Sequence, residues 1–444
     1  MQPATELVRL SGEAVIPLST LDPAGPLDDL GWLDEAIGDA RVVAIGESAH
    51  YNGESYRLRH RLLRYLAERH GFGAYAMESG FVEGWPVDGW VRGDEAQDPE
   101  QLSRLLANGL TSLMGLWTQM RAQLEWMRQH NRTASRPVGF YGIDLSGSNA
   151  SLLPGLDAVL AYLAQADPEY AVDPGVRETA SAFAAASAFS IPQAFAAYGQ
   201  LAPESKNALT ASLADLTARM TARRLDYLRR TTVDAYERAF RSLSLTVAID
   251  AVIRELSGGG PDGIGASIRD AAIADTVEWI LRREDRIVLA AHNGHIQRRP
   301  LTLPGMAPMT TMGMHLADRL GDDYLVIGAT SGTGQTLNTA ADFYTGTLFT
   351  QMGPAQPGSL DALMDASHDG PFATDLRRLS PADTATVRAV SAQRFGAVHT
   401  DLSPLEAYDL IVHLPHVTPA APDHAALAHA PRDVQEAFSQ YKPE

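Results

Sequence analysis

Three histidines and two glutamates recur at one kind of place in this chain. Glu47 lies in the turn-like end of the short apolar run RVVAIGES (41–48) and His50 just after it, and Glu78 closes a second run, AYAMES (74–79). Asp144 closes a third, VGFYGID (138–144), while His292 and His295 close a fourth, RIVLAAHNGH (286–295). Each run has the length and the β-branched or aromatic content of a strand. In an open parallel sheet, function lies in the crevice outside the carboxyl ends of the strands. Four successive candidate strands delivering ionisable groups there point to one site.

Singly, each residue has a plainer reading. Glu47 fits a solvated turn or a helix-start carboxylate, His50 an exposed loop imidazole, and Glu78 one half of an ion pair. Together they fit acid–base chemistry. A carboxylate at the end of an apolar strand is costly unless paired or solvated in a cleft. Burial raises its pKa and a neighbouring cation lowers it, which is the tuning a general acid or base needs. His292 and His295 flank Asn293-Gly294 as a catalytic or metal-binding pair, with a structural role left open for His295.

The spacing next predicts a helix from about Gly53, with Asn52 as its cap and Glu54 in its first turn. That aims a helix N-terminus at the site. Arg59 lies roughly 10 Å further along the axis, and helical side chains lean toward the N-terminus, so a long arginine reaches back. Arg59, His295, Asp144 and Glu54 are expected to contact substrate, with Arg59 or a protonated histidine the candidate oxyanion partner. Arg269-Asp270 reads as a structural ion pair at a helix start.

Several familiar site signatures are absent. The chain has no G-x-S-x-G elbow, H-E-x-x-H helix, Walker-type loop or dinucleotide glycine fingerprint. The Gly-rich GATSGTG (328–334) is read as a loop after a fifth strand, DYLVIGAT (323–330). A sixth strand is expected at YDLIVHLP (408–415). Strands alternating with helices predict an α/β fold, a mostly parallel sheet flanked by helices. Residues 151–275 are Ala- and Leu-rich with no convincing strand, and read as a helical insertion capping the cleft. The expected division is a first part of the catalytic core at 1–150, the insertion at 151–275, and a second part of the core at 276–444.

The bulk composition narrows the function. The 54 acidic side chains against 36 basic ones give a net charge of −18. This argues against a nucleic-acid partner and favours a neutral or cationic small molecule over a phosphate ester. With no cysteine, thiol nucleophiles, disulfides and Cys-ligated metals are excluded. No signal-type start and no apolar run of ~18 residues is present, so the expectation is a cytoplasmic protein without membrane contact.

The motif set resembles the erythromycin esterase family. The resemblance rests on Gly46-Glu47-Ser48-Ala49-His50, then Glu54 and its Leu/Arg-rich helix, and Ala76-Met77-Glu78. It continues through Tyr141-Gly142-Ile143-Asp144, Arg269-Asp270 and Ala291-His292-Asn293-Gly294-His295. It implies a hydrolase that opens the lactone ester of a macrolide antibiotic without an acyl-enzyme. His50 would be the general base that activates water, and Glu78 would orient it or share its proton. Glu47, Arg59, His292 and His295 would complete the site. The cationic amino sugar of such a substrate would be drawn to the acidic surface. No cofactor is implied, although three histidines and two glutamates leave a divalent metal open. Two competing readings keep the fold: a biosynthetic hydrolase, lyase or isomerase acting on another polyketide or lactone, and a non-catalytic binder.

Overall fold

All six sequence-predicted strands form, and they lie side by side. The computed structural model describes residues 8–93, 98–258, 263–303 and 305–441. Numbered in chain order, the strands are β1 (Ile16–Pro17), β2 (Val42–Ile45), β3 (Ala74–Gly80), β4 (Gly139–Asp144), β5 (Ile287–Ala290) and β6 (Tyr324–Leu337). They continue as β7 (Phe349–Gln351), β8 (Phe372–Asp375), β9 (Ala392–Phe395), β10 (Val398–Asp401) and β11 (Leu410–Val417). The main sheet has the order β1-β8-β11-β6-β2-β5-β3-β4, with β7 on the far end of β6. From β11 to β4 every pairing is parallel; β1, β8 and β7 add antiparallel edges. The strand after the long insertion, β5, slots between β2 and β3. This brings the ends of β2, β5 and β3 together.

The alternation of side chains divides the core into two layers. Val42, Ala44, Ala76, Leu289 and Val326 pack on one face, continuous with the apolar side chains of the helices between Leu153 and Leu281. Val43, Ile45, Met77, Val288 and Ile327 pack on the other, against the Gly53–His70 and Thr118–Asn131 helices. Strands buried on both faces explain the unbroken apolar runs. Between Leu153 and Leu281 the described residues form helices and no strand.

One expectation fails. The Gly-rich stretch at 328–334 is not a loop; β6 runs straight through it, paired with β11 to Gly334. Its glycines serve close approach. A Cβ at Gly334 would sit 1.8 Å from the Val417 carbonyl oxygen, and one at Gly332 2.4 Å from that of Pro415.

Asn293 fastens the strand ends. Its side chain donates to the Ala329 carbonyl at 2.7 Å and accepts from the Ala329 amide at 3.1 Å, while its amide donates to the Glu47 carbonyl at 3.0 Å. Gly46 must be glycine, because a Cβ there would lie 2.0 Å from Asn293 Oδ1. Asn293→Ala leaves the buried Ala329 amide without a partner, while its carbonyl keeps the Gln393 side chain; it is expected to cost about 1–3 kcal/mol, read as a lower urea midpoint at unchanged slope.

Candidate active site

The polypeptide turns sharply after β2, and Glu47 and His50 leave that turn facing each other. His50 Nδ1–H donates to Glu47 Oε1 at 2.6 Å. The other Glu47 oxygen meets Arg59 Nη1 at 2.9 Å, with both side chains 2% exposed. Arg59 Nη2 donates to the Ala291 carbonyl at 2.6 Å and to that of Ile45 at 3.3 Å. Arg59 therefore lies beneath the site as the counter-ion of Glu47. It is not the substrate-facing oxyanion partner the sequence suggested, because its guanidinium is committed to buried acceptors.

Glu78 does not end its strand. The register of β3 against β4 shifts between Met77 and Gly80, placing one extra residue on β3. Such a bulge re-aims side chains, and Glu78 sits inside it. Glu78 Oε2 accepts the His292 amide at 2.8 Å. Its Oε1 lies 3.1 Å from Arg269 Nη2, 3.3 Å from His295 Nε2 and 3.9 Å from His50 Nε2.

Arg269 and Asp270, on the Ile264–Leu281 helix, are the residues the sequence reading undervalued. They do not form a simple pair at a helix start. Arg269 grips Asp144 through Nε at 2.9 Å and Nη2 at 2.5 Å, and reaches Glu78 as well. Asp270 accepts from His295 Nδ1 at 2.8 and 3.0 Å and from the Met312 amide at 2.8 Å. The signal available was their position one helix before the His292–His295 strand. Asp144 is thus a holder of Arg269 rather than a free substrate contact.

Glu54 also departs from expectation. Its carboxylate accepts from the Thr418 amide at 2.7 Å, the Thr418 hydroxyl at 3.0 Å and Arg57 at 2.6 Å. It ties the helix start to the end of β11 and has no hydrogen bond to the histidine cluster among the described residues. Asn52 occupies the cap position, but its side chain donates to the Gln335 carbonyl instead of capping.

The three histidines differ in charge for visible reasons. His292 Nδ1 accepts the Gly294 amide at 3.0 Å, and its Nε2–H donates to the Ser48 carbonyl at 3.1 Å. Burial, reinforced by His50, pushes its pKa down to about 4, so it stays neutral. Burial also opposes charge on His295, but Asp270 and Glu78 on its two nitrogens outweigh it and raise its pKa to about 10. His50 is raised above its ordinary value, Glu78 and Glu47 overcoming its burial. Glu78 is held well below the carboxylate range, because His295, His50 and Arg269 outweigh burial.

Exposure orders these groups. His50, Arg269 and His295 keep 22%, 21% and 17% of their side-chain surface, while Glu78 and Glu47 keep 7% and 2%. A ligand entering the cleft meets a base and two cations, with the carboxylates underneath. The β9–β10 hairpin lies alongside: the Gly396 amide donates to the Ser48 carbonyl at 2.7 Å, and the Phe395 ring packs 5.1 Å from that of His292. No sequence signal marked this hairpin.

The same geometry tests a metal. A zinc-type site needs imidazole lone pairs. Those of His292 are engaged by the backbone, and both His295 nitrogens face carboxylates. Among the described residues no group of three or more His, Asp or Glu is arranged to hold an ion.

Comparison with known proteins gives a consistent family. The family model described as erythromycin esterase matches residues 67–417. Erythromycin esterase type II of Escherichia coli is 32% identical over 334 residues, covering 72% of this chain and 76% of its own. Two solved structures share the fold: a mutant of the erythromycin esterase EreC in its open conformation and a succinoglycan biosynthesis protein. The TM-scores are 0.75 and 0.73 at 20% and 21% identity, over 90% and 92% of this chain and 97% and 96% of theirs.

The charge assignment is directly measurable. Imidazole nitrogen NMR across a pH series should show His295 as a cation until pH nears 10, and His292 as a neutral Nε2–H tautomer until pH falls to about 4. A His292 that titrates near its ordinary 6.5 would contradict the backbone lock.

Proposed function

Because the chain belongs to the erythromycin esterase family, we propose that it is a hydrolase that opens a macrolide-type lactone by activating water on His50. One observation carries this reading. Glu47 accepts the Nδ1–H of neutral His50, so the Nε2 lone pair faces Glu78 across 3.9 Å, on the exposed side of the cluster.

A water seated against Nε2 gives one hydrogen bond to the imidazole and the other to Glu78. Glu78 is held ionised by two cations, so it orients the water and does not take its proton. His50 removes a proton as the water oxygen attacks the ester carbon. The carbonyl oxygen gains negative charge and is stabilised by the field of two nearby cations: the His295 imidazolium, whose N–H groups bond Asp270 and Glu78, and the Arg269 guanidinium, whose Nη1 alone is off the carboxylates. When the carbon–oxygen ester bond breaks, the proton on His50 passes to the leaving alkoxide. One water is added, and the ring opens to a hydroxy acid. The backbone lock on His292 keeps it neutral, so a second positive charge never competes with protonation of His50. No step uses a metal, so a chelator is expected to leave turnover unchanged.

The family's share of the fold with a succinoglycan biosynthesis protein gives the alternative its footing. The same lone pair serves to remove a carbon-bound proton from another polyketide or lactone. Turnover in water enriched in heavy oxygen separates the two, since only hydrolysis places that oxygen in the product.

Two outcomes are expected with a macrolide lactone. His50→Ala should lose at least about a hundredfold in kcat with little change in fold, the ordinary contribution of a positioned base. The pH profile of kcat/KM should rise through a pKa above 6.5, where His50 becomes neutral, and fall near 10, where His295 loses its charge. Asp270→Asn removes a carboxylate that favours the imidazolium, so the alkaline limb should move to lower pH. A profile with no acid limb, or a Glu78→Gln variant retaining full kcat, would sink the assignment.

A further inference from the structure

All non-glycine residues with positive φ among the described residues belong to one hydrogen-bonded group. They are Tyr51 (65°), Ser112 (52°), Leu113 (63°), Ser148 (51°) and Asn149 (65°). Left-handed backbone costs an L-residue roughly 1–2 kcal/mol, and such strain clusters at functional sites. Tyr51 directly follows His50, and its hydroxyl donates to the Ser112 carbonyl. The Ser112 amide donates to Ser148 Oγ at 3.1 Å, and the Asn149 side chain reaches Asp144 at 3.4 Å. The strained turns radiate from the proposed base toward the ends of β3 and β4.

They end on a cavity. Ser112, Leu113 and Ser148 wall a cavity of about 240 Å³, the volume of roughly eight waters. Three other features of its lining bear on what it holds. Ser148 Oγ and Ser151 Oγ each accept a backbone N–H (from Ser112 and Leu153), so each hydroxyl keeps its proton to give, while Thr111 Oγ1 accepts from the Gly80 amide and pairs with Ser79 Oγ. Glu83 receives the Gly147 amide on Oε1 at 2.7 Å, while its buried Oε2 has no hydrogen-bond partner. The lining also includes the apolar Leu116, Ala185 and Val434. Hydroxyl donors and a carboxyl set among carbon suit a six-membered ring bearing several oxygens. Among the described residues no lysine, arginine or histidine lines the space, so an anionic group has no counter-charge there.

Its position relates it to the reaction. Gly80, whose amide donates to Thr111, is two residues beyond Glu78, and Gly147–Ser148 follow the adjacent strand β4. Strands lie ~4.8 Å apart, so the cavity is on the order of 10 Å from the carboxylate, along the same edge of the sheet.

We propose that this cavity is a subsite for a hydroxylated, sugar-type ring carried by the substrate, at a fixed offset from the bond that is cleaved. The proposal rests on the lactone-hydrolase reading for its substrate, though not for the binding itself. The test uses the intact enzyme and a matched pair of macrolide lactones, one glycosylated and the other its aglycone. Ala185→Leu fills the cavity without touching the histidine cluster, and Ser151→Ala removes one donor.

The glycosylated lactone should lose about tenfold in KM with Ala185→Leu and about fivefold with Ser151→Ala. The aglycone should be unchanged within about twofold. Equal losses on both substrates, or none on either, would overturn the subsite. Saturation-transfer NMR with a methyl glycoside supplies a readout independent of turnover. Transfer to the sugar protons should be present in the wild type and absent in Ala185→Leu. Absent transfer in the wild type rejects the proposal. Transfer without cleavage of either lactone keeps the subsite and rejects the hydrolase reading.

Discussion

Keeping two carboxylates ionised at the ends of buried strands is the constraint around which the rest of the site is arranged. Glu47 and Glu78 have almost no contact with solvent, and burial alone would make them neutral acids. Arg59 and His50 answer the first; Arg269, His295 and the His292 amide answer the second. Around them stand four carboxylates, Glu47, Glu78, Asp144 and Asp270, against two arginines and one histidinium. The group thus carries a surplus negative charge whenever His50 is neutral. That surplus raises the affinity of His50 for a proton, which makes it a stronger base than an isolated imidazole.

Each cation is placed by a different layer of the fold. Arg59 comes from the helix that packs on one face of the sheet, and Arg269 from the last helix of the insertion on the other. The sheet supplies Glu47 just after β2, Glu78 on β3 and Asp144 at the end of β4; His50 also follows β2, and the turn after β5 supplies His292 and His295. The position of β5 between β2 and β3 is what makes these contributions converge. Asn293, just after β5, then locks the convergence, its side chain bonding Ala329 of β6 and its backbone amide the Glu47 carbonyl after β2.

The strands and the histidine cluster were readable in the sequence because both leave one-dimensional traces: apolar runs of strand length, with ionisable residues immediately after them. Which ionisable residue meets which leaves none. Arg59 looked free to reach a ligand because helical spacing gives reach and not competition; the carbonyls of Ile45 and Ala291 that capture it come from distant strands. Glu54 was misplaced for the same reason, its partner Thr418 lying 364 residues away. Arg269-Asp270 looked like an ordinary pair because adjacent opposite charges usually satisfy each other. Here they point to different partners. GATSGTG read as a loop because glycine lowers strand propensity, whereas the approach of β11 at Gly332 and Gly334 demands it.

The division of the site between the sheet and the helical stretch before β5 also bears on how such a protein can be rebuilt. Inserted helical segments are attractive units to exchange between relatives when substrate range is to be altered. Here the last helix of the segment carries a cation that neutralises Glu78 and the anion that charges His295. A transplanted segment lacking an Arg-Asp pair at the position of Arg269 and Asp270 would leave a buried carboxylate and an imidazole without their counter-charges, however well its apolar side packed. The practical graft boundary therefore lies N-terminal to the Ile264–Leu281 helix, which belongs with the recipient core.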